Sequence, residues 1–127
     1  MASGDAVLVV VPSEGDCRLI VDCLSQEGIH VLPTTNLLDV LLHQVSLPVS
    51  VILYDTDAPE HWRKALQQFL VVRPATRVVF LSRLADERMW MEVLEGGGYD
   101  LVMKPLKPVE IRSVVQSALR RFNTTAA

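Results

Sequence analysis

A doubly wound α/β domain, with five parallel strands alternating with five helices, is the fold this sequence predicts, and three observations predict it. The runs Ala6–Val11, Ser50–Tyr54 and Arg77–Leu81 are short, rich in valine and bounded by proline, aspartate or serine, as strands buried on both faces of a parallel sheet are. Between the strands lie segments whose apolar residues recur at the helical period. The connections are short, and alternation of this kind builds a right-handed crossover sheet covered by helices on both sides.

Each element has its own justification. The first strand leads into a helix with Cys17, Ile20, Val21 and Leu24 on one face, closed by Gly28. A weaker second strand, Ile29–Leu32, precedes a helix presenting Leu38, Leu41, Leu42 and Val45, with Pro48 after it. After the third strand, Leu66, Phe69 and Leu70 mark a helix that ends at Pro74. The fourth helix should lay Trp90, Val93, Leu94 and Gly97 on the sheet and leave Met89 and Met91 outside that stripe, with Gly96–Gly98 ending it. A weak fifth strand, Leu101–Met103, comes before the clearest helix. There Ile111, Val114, Val115, Ala118, Leu119 and Phe122 form a continuous stripe opposite Glu110, Arg112, Gln116 and Arg120, and Pro108 suits the first turn. One domain over residues 1–127 is expected, its core about 6–122 and Asn123–Ala127 a frayed tail.

Composition excludes several functions. The chain has 127 residues, half of them apolar, which is enough for a sizeable core. Twelve Lys plus Arg against 15 Asp plus Glu give a net charge of −3 with no basic stripe, so nucleic acid is not an expected partner. The longest apolar run falls far short of the roughly 18 residues a membrane span needs, and no basic segment precedes it; a cytoplasmic protein without membrane association is expected. Cys17 and Cys23 match neither a CxxC pair nor a zinc-ligand spacing, which leaves reduced structural thiols. The segment Val11–Asp16 contains neither GxxxxGK nor GxGxxG, so a nucleotide or flavin site is disfavoured.

In a doubly wound sheet, ligands sit beyond the carboxyl ends of the strands. The residues there are Asp55-Thr56-Asp57-Ala58-Pro59 after the third strand, Ser82-Arg83 after the fourth and Lys104-Pro105 after the fifth. A carboxylate, a hydroxyl and an ammonium converging on one edge can hold a phosphoryl group. Taken singly, Asp57 could instead cap the third helix, and Lys104 could serve Asp55 only as a structural ion pair.

With these residues in this order, the chain resembles the receiver domains of bacterial two-component response regulators from Val7 to Arg121. The resemblance implies a CheY-like, flavodoxin-like three-layer sandwich with strand order 2-1-3-4-5. It implies that Asp55 is the phosphoacceptor position, that Ser82 and Lys104 contact the phosphoryl group, and that the Lys104–Pro105 bond is cis. It also implies a protein partner, either a histidine kinase or an output protein, and no enzyme beyond such a switch.

The sequence departs from that pattern where receivers carry two acidic residues for magnesium. Val11 and Pro12 stand there, and neither side chain can supply the ion an oxygen ligand. Glu14 and Asp16 are nearby, but both suit the start of the first helix. Arg83 replaces a small residue and either pairs with Asp55 or turns to solvent; Leu101 replaces the aromatic switch residue. The expectation is a degenerate receiver without cofactor that works as a phosphorylation-independent interaction module. Its candidate surface is the Trp90/Met89 face of the fourth helix, for a partner or a homodimer. The alternative is a working phosphoacceptor, modified on Asp55 by a histidine kinase with magnesium.

Overall fold

A computed structural model describes residues 6–126, with side chains over 6–120. Ten elements alternate along the chain: β1 (Ala6–Val10), α1 (Glu14–Ser25), β2 (His30–Thr34), α2 (Leu37–Ser46), β3 (Val49–Asp55), α3 (Trp62–Val72), β4 (Arg77–Ser82), α4 (Glu87–Glu95), β5 (Asp100–Met103) and α5 (Pro108–Ala126). The strands form one parallel sheet in the order β2-β1-β3-β4-β5, the predicted topology.

The sheet's register follows from burial. Every residue of β1 and β3 is buried, because helices cover both faces of the central strands, whereas the edge strands β2 and β5 are partly exposed. On one face α1 and α5 pack aliphatic side chains, among them Ile20, Leu24, Ile111 and Val115, against Val7, Val9, Val51, Leu53, Val79 and Leu81. The alternate residues Leu8, Val10, Ile52, Tyr54, Val78 and Phe80 point to the other face, where they meet Val40, Trp62, Leu66, Phe69 and Val93 from α2, α3 and α4. That second layer holds most of the described aromatics: Tyr54 lies edge-on to Phe69 and Phe80, and Trp62 edge-on to Phe80.

Local chemistry sets the helix ends. Ser13, Asn36 and Asp86 cap α1, α2 and α4, their side-chain oxygens accepting from the amides of Asp16 (3.2 Å), Asp39 (2.9 Å) and Met89 (2.8 Å). Gly28 and Gly97 take φ values of +74° and +99° in the turns after α1 and α4, a region that favours glycine. A Cβ on Gly97 would also lie 2.7 Å from Leu70 Cδ1.

Five expectations are corrected. The buried face of α2 is Val40 and Gln44 with Leu37 and Leu41 partly covered, while Leu38, Leu42 and Val45 are 64%, 59% and 71% exposed. Gln44 selects that face: its amide donates to Phe69 O at 3.3 Å, and Arg73 Nε donates to Gln44 O at 2.7 Å, tying α2 to α3. On α4, Met89 and Val93, four residues apart, face the core, whereas Trp90 is 42% exposed and its indole donates to Asp100 Oδ1 on β5 at 3.2 Å. On α1, Cys23 is buried in place of Val21. Asp57 does not cap α3; the connection runs on through Pro59, and His61 Nδ1 accepts from Arg63 N at 3.1 Å. Finally, α5 continues to Ala126, since 123–126 contain neither glycine nor proline to stop it; Ala127 and the side chain of Phe122 lie outside the described residues.

Both cysteines are free, and burial pushes both thiols above their ordinary range. Among the described residues no helix is long and apolar enough to cross a membrane.

Candidate functional site

The carboxyl ends of β1, β3, β4 and β5 open into a cleft of about 490 Å³ lined by Ser13, Asp16, Asp57, Arg83, Lys104 and Pro105. Beneath it, at the end of the buried strand β3, lies Asp55, with no solvent exposure. Its Oδ1 accepts the Asp57 amide at 2.8 Å, and Ala58 N donates to the Asp55 carbonyl at 2.9 Å; together they fold the chain into a tight turn directly after the strand.

Lys104 leaves β5 across a cis bond to Pro105, and its ammonium is nearly buried among three carboxylates. It contacts Asp55 Oδ2, lies 3.2 Å from Asp16 Oδ2 on the first turn of α1, and 3.9 Å from Asp57 Oδ2. Burial alone would lower its pKa, but the hydrogen bonds and charges of Asp55 and Asp16 outweigh that loss and hold the ammonium above its ordinary value. Beside Asp55 in the strand, the Tyr54 phenol is pushed up to about 12 by burial, with the charges of Glu60 and Asp55 adding to the effect. Its hydroxyl donates to Glu60 O at 2.6 Å.

Ser82 ends β4 and is buried next to the cleft, where its hydroxyl is fully engaged. It accepts from Thr56 Oγ1 (3.0 Å) and from Leu84 N (3.1 Å), and it donates to Leu84 O (3.3 Å). Arg83 does not reach Asp55, and it is not simply a solvated side chain. Its Nη2 pairs with Asp57 Oδ2 at 2.6 Å while the side chain remains 75% exposed, because the turn after β3 places Asp57 above Asp55. An ion pair that open contributes at most about 1 kcal/mol.

The structure therefore brings Asp55, Asp57, Lys104, Pro105 and Arg83 to one cleft, with Ser82 at its wall. Leu101, paired with Phe80 in the sheet, packs partly buried in the aromatic layer. Val11 packs against the α1/α5 layer, and Pro12 is exposed at the cleft's β1 side. Sequence reasoning set one member, Asp16, aside as a helix-start residue and gave another, Thr56, no role. Asp16 follows Ser13 by three residues, a capping spacing that fixes where α1 starts and so aims Asp16 at the sheet edge. Thr56 carried no signal beyond its position next to Asp55.

No family model matches the chain. Over 118 residues, 92% of this chain, it is 30% identical to the transcriptional regulatory protein CreB of Escherichia coli (strain K12), and the match covers 52% of that protein; the chain spans about half the length of this curated relative. Among solved structures, the response regulator receiver domain protein (CheY-like) from Methanospirillum hungatei superposes with a TM-score of 0.85 at 18% identity, covering 97% of this chain and 99% of that one. A response regulator from Thermotoga maritima superposes with a TM-score of 0.83 at 18% identity, covering 91% and 98%. The fold is thus the receiver-domain fold of response regulators, with five parallel strands in the order 2-1-3-4-5.

Proposed function

We propose that this chain is a two-component receiver domain that has become a phosphorylation-independent protein-interaction module without enzymatic activity of its own. The observation that carries the proposal is the occupancy of the cleft: Lys104 sits among Asp16, Asp55 and Asp57, while Val11 and Pro12 offer no side-chain oxygen where the fold would carry metal ligands. The donor set supports the same reading. Magnesium takes about six oxygens in an octahedron. Here both oxygens of Asp55 are engaged, and among the described residues no group of three or more His, Cys, Asp or Glu side chains is placed to hold a metal ion. Without a divalent cation, an incoming phosphoryl dianion meets three carboxylates paired, among the described residues, with two side-chain cations, Lys104 and Arg83.

Output would pass through the face formed by α4, β5 and α5. Trp90, Met91, Met103 and Val109 are exposed there, beside a groove of about 470 Å³ between β5 and α5 that Leu101, Val109, Glu110 and Val114 help to line. A large indole and flexible thioethers suit an adaptable contact with an effector protein or with a second copy. Incubation with acetyl phosphate and magnesium tests the reading: the expected result is unmodified protein by intact mass. Stoichiometric aspartyl phosphate, absent in Asp55→Asn, would overturn it.

A second reading is favoured by the retention of Asp55, Ser82 and Lys104 on three adjacent strand ends. In it, Asp55 accepts phosphate from a histidine kinase with magnesium bound. Saturable, magnesium-dependent change in tryptophan fluorescence would support this alternative.

A further inference from the structure

The loop between β4 and α4 is tied to the loop after β3 at two consecutive positions. Thr56 reaches Ser82 at 3.0 Å and Asp57 reaches Arg83 at 2.6 Å, so residues 56–57 hold residues 82–83 side chain to side chain. The backbone reinforces the register, with Thr56 N donating to Leu81 O at 2.9 Å.

Of the two side-chain ties, the hydroxyl contact decides the geometry. A serine hydroxyl has one proton to give and two lone pairs to receive. Ser82 uses all three, on Leu84 O, Leu84 N and Thr56 Oγ1. It has no proton left for an acceptor at Asp55 unless it breaks from Leu84 O, which would free the segment leading into α4. The Arg83 pair is open to solvent and weak alone. The half-buried Thr56 hydroxyl is therefore the fixed point.

We infer that Thr56 is a positioning residue: it latches Ser82 onto Leu84 and so holds the β4–α4 loop, and with it the Trp90 face of α4, in one state whatever happens at Asp55. This deepens the interaction-module reading and rests on it for its biological meaning, although the latch itself is tested independently.

The experiment is hydrogen exchange on the whole chain, followed by mass spectrometry, for the wild type, Thr56→Val, Thr56→Ser and Asp55→Asn. Valine keeps the shape and removes the hydroxyl; serine keeps the hydroxyl. Exchange in peptides spanning residues 83–90 is expected to rise roughly fivefold to tenfold in Thr56→Val, the equivalent of one net hydrogen bond. It should stay at the wild-type level in Thr56→Ser and in Asp55→Asn, and peptides from β1 and β3 should not change. If Thr56→Val does not fold, Thr56→Ala removes the same hydroxyl while leaving Ser82 and its bonds to Leu84 in place, and is held to the same outcome. Unchanged exchange at 83–90, an equal rise across all peptides, or an equal rise in Asp55→Asn would each overturn the latch. Aspartyl phosphate at Asp55 alongside the expected exchange pattern would sink the phosphorylation-independent reading and leave the latch standing.

Discussion

Asp55 and Lys104 contact one another, yet losing either should not cost the same. Lys104→Met leaves the Asp55 carboxylate, which has no solvent exposure, without its cation and with Asp16 and Asp57 still nearby. The side-chain charge of the cluster, three carboxylates against Lys104 and Arg83, goes from −1 to −2. An orphaned buried charge of this kind costs about 3–5 kcal/mol. Asp55→Asn takes the cluster to neutrality instead. Its amide oxygen can still accept the Asp57 amide, and Lys104 keeps Asp16 at 3.2 Å, so the expected loss is about 1 kcal/mol or less. Urea unfolding at pH 7, followed by far-UV circular dichroism, measures both, with unchanged m-values showing that the comparison is of stability alone. In thermal melts the lysine variant should fall by roughly 10–20 °C and the asparagine variant by only a few degrees. Equal losses, or a Lys104→Met variant within about 1 kcal/mol of wild type, would refute the argument that Asp55 is a buried charge dependent on Lys104.

Three further outcomes are expected. Stability should fall at alkaline pH: Lys104 and Tyr54 both have raised pKa values, so the folded state binds protons more tightly, and their contribution is complete below about pH 10 and lost as pH climbs through the folded values. For Tyr54, a move from 10.0 to about 12 is worth roughly 2–3 kcal/mol, and Tyr54→Phe should flatten the profile between pH 10 and 12 in buffered melts. Gly98→Ala should cost about 1–3 kcal/mol in urea unfolding, because a Cβ there would lie 2.6 Å from Val93 Cγ1 and 3.0 Å from Val93 O; Gly15→Ala in α1, whose nearest contact is 3.9 Å away, should be neutral or gain about 0.5–1 kcal/mol. Leu42→Gln should stay within about 0.5 kcal/mol of wild type, whereas Val40→Ala should lose about 2 kcal/mol; the reverse order would mean that α2 buries its other face.

The succession of strands and helices was legible because the central strands are uniformly apolar and the stop signals are glycines and prolines in the right places, whereas the order of the strands came from the resemblance to receiver domains. Helix faces were less so. In α2 the doublets Leu37-Leu38 and Leu41-Leu42 make two neighbouring stripes equally apolar, and the choice falls to a buried amide, Gln44, which a hydrophobic pattern counts against its own face. In α4 the run Met89-Trp90-Met91 offers three adjacent large side chains, and the indole turns outward because Asp100 on β5 accepts its N–H. At the cleft, Asp55, Ser82 and Lys104 could be placed because each stands at the carboxyl end of its strand. The pairing of the charges could not: Arg83 meets Asp57 and Asp16 meets Lys104 through loop and helix-start geometry that spacing alone does not encode.

The unequal make-up of the two helical layers has a practical consequence. Tyr54, Trp62, Phe69 and Phe80 all belong to the α2/α3/α4 side, while among the described residues the α1/α5 side is aliphatic apart from Tyr99 at its margin. Ring currents will therefore displace methyl resonances such as those of Leu66 and Val93 more than that of Val7 in the aliphatic layer. A one-dimensional proton spectrum or a near-ultraviolet dichroism band would thus report loosening beneath α4 while saying little about the opposite layer, which makes the molecule a one-sided optical and magnetic gauge of its own packing.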